Sequence, residues 1–251
     1  MIQIKTPTEI SKMLKACELS AQALALAGRS ITPGMSTWEL DKIIHDFIIS
    51  KGATPSFLGY GGFKGSACIS INEELIHGIP SKSRIIKEGD IVTVDVGACI
   101  GGYHGDNART FPVGKISEEA ENLLKVTEES LYEGIKMAVE GNRIGDISHA
   151  VESWCVQRGY SVVKKYVGHG VGKNLHEDPE VPNYGRPGRG PRLAAGMTIA
   201  IEPMINAGTE EIRVLSDNWT VVTADGKLCA HFEHTIAITK SEPLIMTLES
   251  H

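Results

Sequence analysis

Several features are absent from the sequence, and each absence argues against a class of protein. No apolar run is long enough to span a bilayer, and no signal-type apolar core follows the first residues. The five cysteines are odd in number and contain no C-x-x-C pair, so a disulfide framework is not indicated. The formal net charge of −6 argues against binding nucleic acid through bulk positive charge. We expect a cytoplasmic protein that acts as a monomer, with no membrane contact and no specific nucleic-acid partner.

Signature motifs of other enzyme classes are also missing. His176 and Glu177 begin like the H-E-x-x-H zinc helix, but no second histidine follows at the required spacing. The segment 172–174 lacks the upstream glycine and the hydroxyl residue of a phosphate-binding loop, and the glycines at 59–62 do not complete a dinucleotide fingerprint. Metal chemistry of the zincin type and nucleotide binding are therefore not predicted.

The sequence does contain strong helix signals near its start. Glu9 lies three positions after Thr6, and Glu39 lies three positions after Ser36. This spacing is the pattern of a capping box. Pro7 occupies a position that suits the first turn of a helix. We therefore predict two amphipathic helices that begin just after Thr6 and Ser36.

An internal repeat divides the chain into two related halves. The glycines on either side of the second predicted helix recur 107 positions later, as do its apolar positions. The β-rich run 89–95, ending on Asp95, recurs as 196–202, ending on Glu202. We predict one domain over residues 1–251, built from α+β halves at about 1–114 and 115–251 that a pseudo-two-fold axis relates.

Four carboxylates lie at the boundaries of predicted strands, where the repeat brings them together. Asp95 and Asp106 belong to the first half, Glu202 and Glu233 to the second. Unpaired charges would repel one another, whereas two divalent cations balance four carboxylates. His169, between two glycines, offers an imidazole as a terminal ligand. Taken singly, each carboxylate is better explained as a turn residue or a helix cap, so the prediction depends on the pairing.

The motifs that contain these residues resemble type I methionine aminopeptidases over essentially the whole chain. The matching stretches are Ser70-Ile71-Asn72-Glu73, His77-Gly78-Ile79-Pro80, Val94-Asp95-Val96-Gly97, Gly105-Asp106, Gly168-His169-Gly170-Val171-Gly172, His176-Glu177, Ile201-Glu202-Pro203-Met204 and Phe232-Glu233-His234-Thr235. The resemblance implies the α+β pita-bread fold of creatinases and aminopeptidases, an antiparallel sheet covered by helices. The short spacing between the second pair of carboxylates favours a bacterial-like short form.

The resemblance also implies which residues hold metal. Asp95 would chelate one ion, His169 and Glu202 would complete the other, and Asp106 and Glu233 would bridge both. An oxygen-rich set with one nitrogen leaves Co, Mn, Fe, Zn and Ni open as the metal. A monovalent-cation site near Asn72 and Cys229 is implied as well, although Cys229 replaces a common hydroxyl residue.

The implied activity is removal of the N-terminal methionine from nascent proteins whose second residue is small. A hydroxide held by the two ions would attack the carbonyl carbon, with Glu202 as the candidate general base. His77 and His176 would hydrogen-bond the substrate amide and the developing oxyanion. The methionine side chain would occupy a pocket of residues that, taken singly, could be ordinary core: Phe57, Tyr60, Phe63, Cys68, Leu175 and Trp219.

Two alternatives remain from the sequence. A prolidase or aminopeptidase P relative shares the fold but has a large N-terminal domain. A non-catalytic pita-bread binding protein would have lost ligands or the histidine pair, and this sequence keeps all of them. The resemblance also implies a transient ribosome contact, for which the sequence offers only modest basic clusters.

Overall fold

A computed structural model describes residues 1–248, which contain four α-helices and one short 3₁₀ helix. The helices are α1 Pro7–Ser30, α2 Thr37–Ser50, α3 Glu118–Lys136 and α4 Ile144–Val156, and the 3₁₀ turn is Tyr60–Gly62. No helix among the described residues is long and apolar enough to cross a bilayer.

Both predicted capping boxes are confirmed. The Thr6 hydroxyl accepts a hydrogen bond from the Glu9 amide, and the Glu9 carboxylate accepts one from the Thr6 amide. Ser36 and Glu39 make the same reciprocal pair at the start of α2. These contacts satisfy amides that have no partner within the helix, and they fix where α1 and α2 begin.

The described residues also form fifteen strands. They are β1 Thr54–Pro55, β2 Ala67–Ile71, β3 Glu74–Ile76, β4 Ile91–Ile100, β5 Tyr103–Pro112, β6 Ser161–Val162, β7 Gly168–Gly170, β8 Glu177–Val181, β9 Thr198–Ile201, β10 Met204–Asn206, β11 Ile212–Val214, β12 Val221–Thr223, β13 Cys229–His231, β14 Glu233–Ala237 and β15 Leu244–Ile245.

Within residues 1–248, nine of these strands form one antiparallel sheet in the order β1-β4-β5-β14-β9-β7-β8, with β2 beside β4 and β15 beside β14. Two three-stranded sheets flank it, β13-β10-β6 and β11-β12-β3. The predicted antiparallel sheet is therefore confirmed. Its central strands, β5 and β14, come from opposite halves of the chain.

The helices cover the sheet with two separate hydrophobic cores. In one, Leu40 and Ile44 of α2 pack with Ile69 of β2 and the buried valines of β4. In the other, Leu123 of α3 and Ile147 of α4 pack among buried side chains of β9 and β14. Burying these apolar faces provides the main stabilisation of the fold, and each of these two cores comes mostly from one half of the chain.

Backbone geometry supports the two related halves. Glycines 107 positions apart have nearly equal positive φ: +93° and +96° at Gly34 and Gly141, +72° and +83° at Gly52 and Gly159, and +87° and +94° at Gly89 and Gly196. An isolated β-bridge joins Ser36 to Ile85, and a second one joins the residues 107 positions later, Arg143 and Arg192. We propose that residues 1–114 and 115–251 are structural repeats within one domain.

Candidate metal centre

The four carboxylates meet on adjacent strands at the middle of the large sheet. Asp95 lies in β4, Asp106 in β5, Glu233 at the start of β14 and Glu202 directly after β9. The expectation that Asp95 and Asp106 lie at strand boundaries was wrong, because β4 continues to Ile100 and β5 already begins at Tyr103. Asp95 opens onto a cavity that it shares with the other three carboxylates, where a cation can offset their charge.

Small residues make room for this cluster. Ala108 of β5 is the register partner of Asp95 on one side and of Glu233 on the other, and Asp106 lies opposite Gly97. Register partners project from the same face of a sheet, so the three carboxylates point the same way. The short side chain of Ala108 leaves room between Asp95 and Glu233. The missing side chain of Gly97 lets Ser56 and Phe57 approach the strand opposite Asp106, since a Cβ there would lie 2.7 Å from Ser56 Cβ and 2.9 Å from Phe57 Cε1.

His169 of β7 completes the cluster with a defined imidazole orientation. Its Nδ1 lies 2.9 Å from the Gly170 carbonyl oxygen, so Nδ1 donates and Nε2 keeps its lone pair. Nε2 lies 3.7 Å from Asp106 Oδ2 and 3.6 Å from Glu202 Oε1. Asp106, His169 and Glu233 each place one ligand atom within 4.8 Å of the others.

The charges of this cluster fit divalent metal. Burial raises the pKa of Asp106 from 3.8 to about 7. Burial, and secondly the neighbouring carboxylates, raise the pKa values of Asp95, Glu202 and Glu233 well above their ordinary range. Among the described residues, Asp95 Oδ1, Asp106 Oδ1 and Glu233 Oε1 are buried without a hydrogen-bond partner. Such orphaned oxygens need a partner, and a bound cation would supply one.

One cavity of about 240 Å³ contains the whole predicted site. The thirteen side chains that the sequence singled out all line it: Phe57, Tyr60, Phe63, Cys68, His77, Asp95, Asp106, His169, Leu175, His176, Glu202, Trp219 and Glu233. Ile76, Tyr166 and Val167 line it too, and no sequence pattern had identified them.

The apolar end of the cavity is a compact cluster. Phe57, Phe63, Cys68 and Leu175 are buried together, and Trp219 packs against them. The Phe63 and Trp219 rings meet edge to face, with centroids 5.1 Å apart. These contacts form a wall suited to an unbranched apolar side chain.

Two histidines lie between the apolar wall and the carboxylates. Burial, and then the neighbouring His176, lower the pKa of His77 to about 4. Burial, and then His104, lower the pKa of His176. Both imidazoles are therefore neutral at pH 7. Nδ1 of His176 lies 2.7 Å from the Tyr60 hydroxyl, whereas His77 has a φ of 60°, a conformation that only a supported residue holds.

The sequence of the chain shows which protein family it belongs to. The model of metallopeptidase family M24 matches residues 11–240. The chain belongs to metallopeptidase family M24. It is accordingly a metal-dependent peptidase, and the orphaned carboxylate oxygens are consistent with that membership.

The similar proteins of this family are close in sequence and fold. A methionine aminopeptidase of Clostridium acetobutylicum is 55% identical over 99% of both chains. The crystal structure of a methionine aminopeptidase from Thermotoga maritima has a TM-score of 0.98 and 48% identity, covering 99% of this chain and 100% of that one. The predicted pita-bread fold is therefore confirmed.

The predicted alternative of a prolidase receives less support. The prolidase of Pyrococcus horikoshii has a TM-score of 0.80 but only 26% identity. The match covers 99% of this chain and 64% of the prolidase. The fold is shared, whereas the sequence is much closer to the methionine aminopeptidases.

His231 is a further polar residue near the cavity that the sequence analysis missed. Its side chain is 1% exposed, and its Nε2 lies 3.4 Å from Glu202 Oε2. The available signal was its position two residues before Glu233, since alternate residues of an extended chain share a side. That spacing alone cannot show that Glu202 comes within reach.

Asn72 and Cys229, which the resemblance associates with a monovalent cation, lie in contact. Asn72 has a φ of 58°, and its carbonyl oxygen accepts hydrogen bonds from the amide and thiol of Cys229. The Asn72 side chain bonds the Ile91 amide and Asp90. A role in binding a monovalent cation stays a prediction.

Proposed function

We propose that this M24 peptidase removes the N-terminal methionine from polypeptides whose second residue is small. The observation that carries the proposal is the joining, in one cavity, of a buried apolar pocket and a cluster of orphaned carboxylates. The methionine aminopeptidases similar to this chain support the choice of substrate.

The five proposed ligands would hold two metal ions at two neighbouring positions. We infer that these residues would hold the ions between them: Asp95 would bind one ion, His169 and Glu202 would bind the other, and Asp106 and Glu233 would be shared by both. Four carboxylates match the charge of two divalent ions, and the identity of the metal stays open among Co, Mn, Fe, Zn and Ni. Bound ions of this kind supply a nucleophilic water at neutral pH and polarise the scissile carbonyl.

Four of the proposed pocket residues, Phe57, Phe63, Cys68 and Leu175, would surround the methionine side chain, with Trp219 at their edge. Aromatic faces and the thiol make favourable contacts with a thioether. A methionine side chain in this pocket would displace water from the cavity, which would strengthen the electrostatic interactions at the neighbouring metal centre.

The proposed hydrogen-bond donors to the substrate are His77 and His176. Both are neutral at pH 7, because their pKa values are lowered, so each keeps one N–H to donate. The Tyr60 hydroxyl engages Nδ1 of His176 and leaves Nε2 for the substrate. Donors fixed in this way stabilise the oxyanion that forms in the transition state. Glu202 is the proposed general base.

A groove beside the cavity is consistent with a polypeptide as the substrate. It has a volume of about 740 Å³ and shares Val167, His169 and His176 with the cavity. A chain whose first residue occupies the pocket can therefore extend outward along the groove. We propose nascent chains in the cytosol as the substrate, with transient contact to the ribosome and a monomeric enzyme. The free cysteines are consistent with a reducing compartment.

The test is hydrolysis of defined peptides by metal-free and metal-loaded protein. Met-Ala-Ser should lose its methionine when Mn or Co is added, chelation should abolish the reaction, and renewed metal should restore it. Leu-Ala-Ser and Met-Trp-Ser serve as controls for the first and second residues. Absence of turnover on Met-Ala-Ser across all five metals would contradict the proposal, and preferred cleavage of an Xaa-Pro dipeptide would favour the prolidase alternative.

A further inference from the structure

Glu202 lies between two imidazoles, one on each of its carboxylate oxygens. Oε1 faces Nε2 of His169 at 3.6 Å, and Oε2 faces Nε2 of His231 at 3.4 Å. His169 is one of the five proposed metal ligands, and its Nε2 also lies 3.7 Å from Asp106 Oδ2, whereas the ion-pair contact recorded for His231 is to Glu202. The two oxygens of one carboxylate thus have different surroundings.

The backbones on both sides of this contact are held in place. The Thr110 hydroxyl accepts from the His231 amide and donates to the His231 carbonyl oxygen, each at 3.0 Å. The Glu202 carbonyl oxygen accepts from the Asn183 side chain at 2.9 Å. Because both backbones are held, the geometry of the 3.4 Å pair depends on the rotamers of the two side chains, and a hydrogen bond between them requires one side chain to rotate.

The imidazole of His231 lacks any other partner. Neither ring nitrogen has a hydrogen bond within the part of the chain that the structure describes, and both atoms are buried. A buried N–H without an acceptor costs about 1–3 kcal/mol. Glu202 Oε2, 3.4 Å from Nε2, is the acceptor within reach of this imidazole.

We propose that His231 is a positioning residue for Glu202: its Nε2–H donates to Oε2 and keeps Oε1 directed toward the ion that His169 binds. The proposal rests on the proposed metal centre and peptidase activity. A carboxylate without this donor can rotate, so that Oε1 leaves its place as ligand and base. Partners behind a metal ligand typically change metal affinity or activity by about 10–100-fold.

The test compares a variant that keeps the donor with variants that lack it. His231→Gln carries an N–H at similar reach, whereas His231→Phe and His231→Met fill the space without a donor. Calorimetric titration with Mn measures the affinity and stoichiometry of each ion, and Met-Ala-Ser kinetics measure kcat and KM. Circular dichroism and thermal melting identify the variants that are folded. His45→Phe is the control, because His45 bonds Ser66 outside the cavity.

We expect His231→Gln to stay within about 3-fold of the parent chain in metal affinity and kcat. The donor-lacking variants should bind one ion about 10–100-fold more weakly and lose kcat by a similar factor, with little change in KM. His45→Phe should change neither quantity.

Three outcomes would overturn the proposal. Folded donor-lacking variants with the parent's metal affinity would show that the contact is incidental. Equal losses in His231→Gln and His231→Phe would assign the effect to packing and not to the N–H. Complete loss of one ion in both would make His231 a ligand. The titrations require no substrate, so a parent chain that binds metal without cleaving Met-Ala-Ser would contradict the proposed function while leaving this test in force.

Discussion

Two sets of side chains line the cavity, and we propose a different role for each set. The carboxylates have raised pKa values and orphaned oxygens, which are the properties of metal ligands. His77 and His176 have lowered pKa values and lie next to the apolar pocket, as expected of neutral donors to a substrate. Single substitutions should separate these two roles.

Replacing His77 should impair catalysis and leave metal binding intact. We expect His77→Ala to bind the parent's full complement of metal while kcat on Met-Ala-Ser falls about 10²–10³-fold, because one donor to the oxyanion is lost. Metal content is measured by atomic emission and rate by release of free methionine. Since His77 has a φ of 60°, His77→Asn serves as a companion that tolerates the backbone conformation.

Replacing Asp95 should have the opposite signature. Asp95→Ala removes a proposed chelating carboxylate from the middle of β4, so we expect stoichiometric binding of one ion to be lost together with activity. Equilibrium dialysis against Mn measures the binding. Full metal content in Asp95→Ala, or loss of metal in His77→Ala, would reverse the assignment of roles.

At the scale of elements, the local signals were sufficient for α1, α2 and the repeat. Capping boxes are read within four residues, and matched glycines report backbone conformation directly, so neither needs knowledge of the fold. The extent of β4 was not predictable in this way. A charged residue usually ends a buried strand, and only the neighbouring strands show that Asp95 has a cluster to face.

The same contrast separates the site residues that the sequence found from those it missed. The five proposed ligands and the histidine pair lie in recognisable motifs. His231 and Tyr166 lie outside any periodic pattern, and their relevance comes from packing against Glu202 and His77. Long-range packing of single side chains is not encoded in local spacing.

The repeat makes a quantitative prediction about stability. Gly34 and Gly141 have φ values of +93° and +96°, and an added Cβ meets nothing within 4 Å at either position. Gly34→Ala and Gly141→Ala should therefore each lower the free energy of unfolding by about 1–2 kcal/mol through backbone strain alone. Urea denaturation of the metal-free chain measures this.

The control for that comparison is Lys12→Ala, an exposed position inside α1 that has no positive φ. It should change the unfolding free energy by less than about 0.5 kcal/mol. A Gly34 variant that is strongly destabilised beside a neutral Gly141 variant would show that the two turns are not equivalent, and would weaken the proposed relation between the halves.

For the molecule as a whole, the central sheet joins the two halves where the four carboxylates meet. β5 and β14 are neighbours, and they bring Asp106 of one half beside Glu233 of the other. Without metal, folding must bury these carboxylates together, so the folded chain retains protons that the unfolded chain releases. Metal, folding and protons are therefore linked.

The sign of this linkage is clearest above about pH 7. There, most histidine side chains are neutral in both the folded and the unfolded chain, because the ordinary histidine pKa of about 6.5 lies below that range, and the remaining protonation disappears by pH 8. Burial raises the pKa of Asp106 to about 7, and those of Asp95, Glu202 and Glu233 are also raised. The folded metal-free chain then binds more protons than the unfolded chain, so its stability falls as pH rises. Below pH 6.5 the buried histidines, whose pKa values are lowered, oppose this trend.

We therefore expect metal binding to release protons, and to remove most of the pH dependence between pH 7 and 8. Calorimetry at pH 7.5 in buffers of different ionisation enthalpy counts the protons released per ion. Thermal melting at pH 7.0, 7.5 and 8.0 should show a falling Tm for the metal-free chain and a flatter one for the Mn-loaded chain. Burial raises the pKa of the Cys229 thiol in both forms, so that thiol cancels in the difference. The pKa of Cys68 is raised by burial and secondly by Asp95 and Asp106, so metal should lower it together with theirs. Equal slopes of Tm against pH with and without metal, or metal binding without proton release, would contradict this prediction. Either result would mean that the four carboxylates are already ionised in the metal-free fold, and that something other than protons compensates their burial.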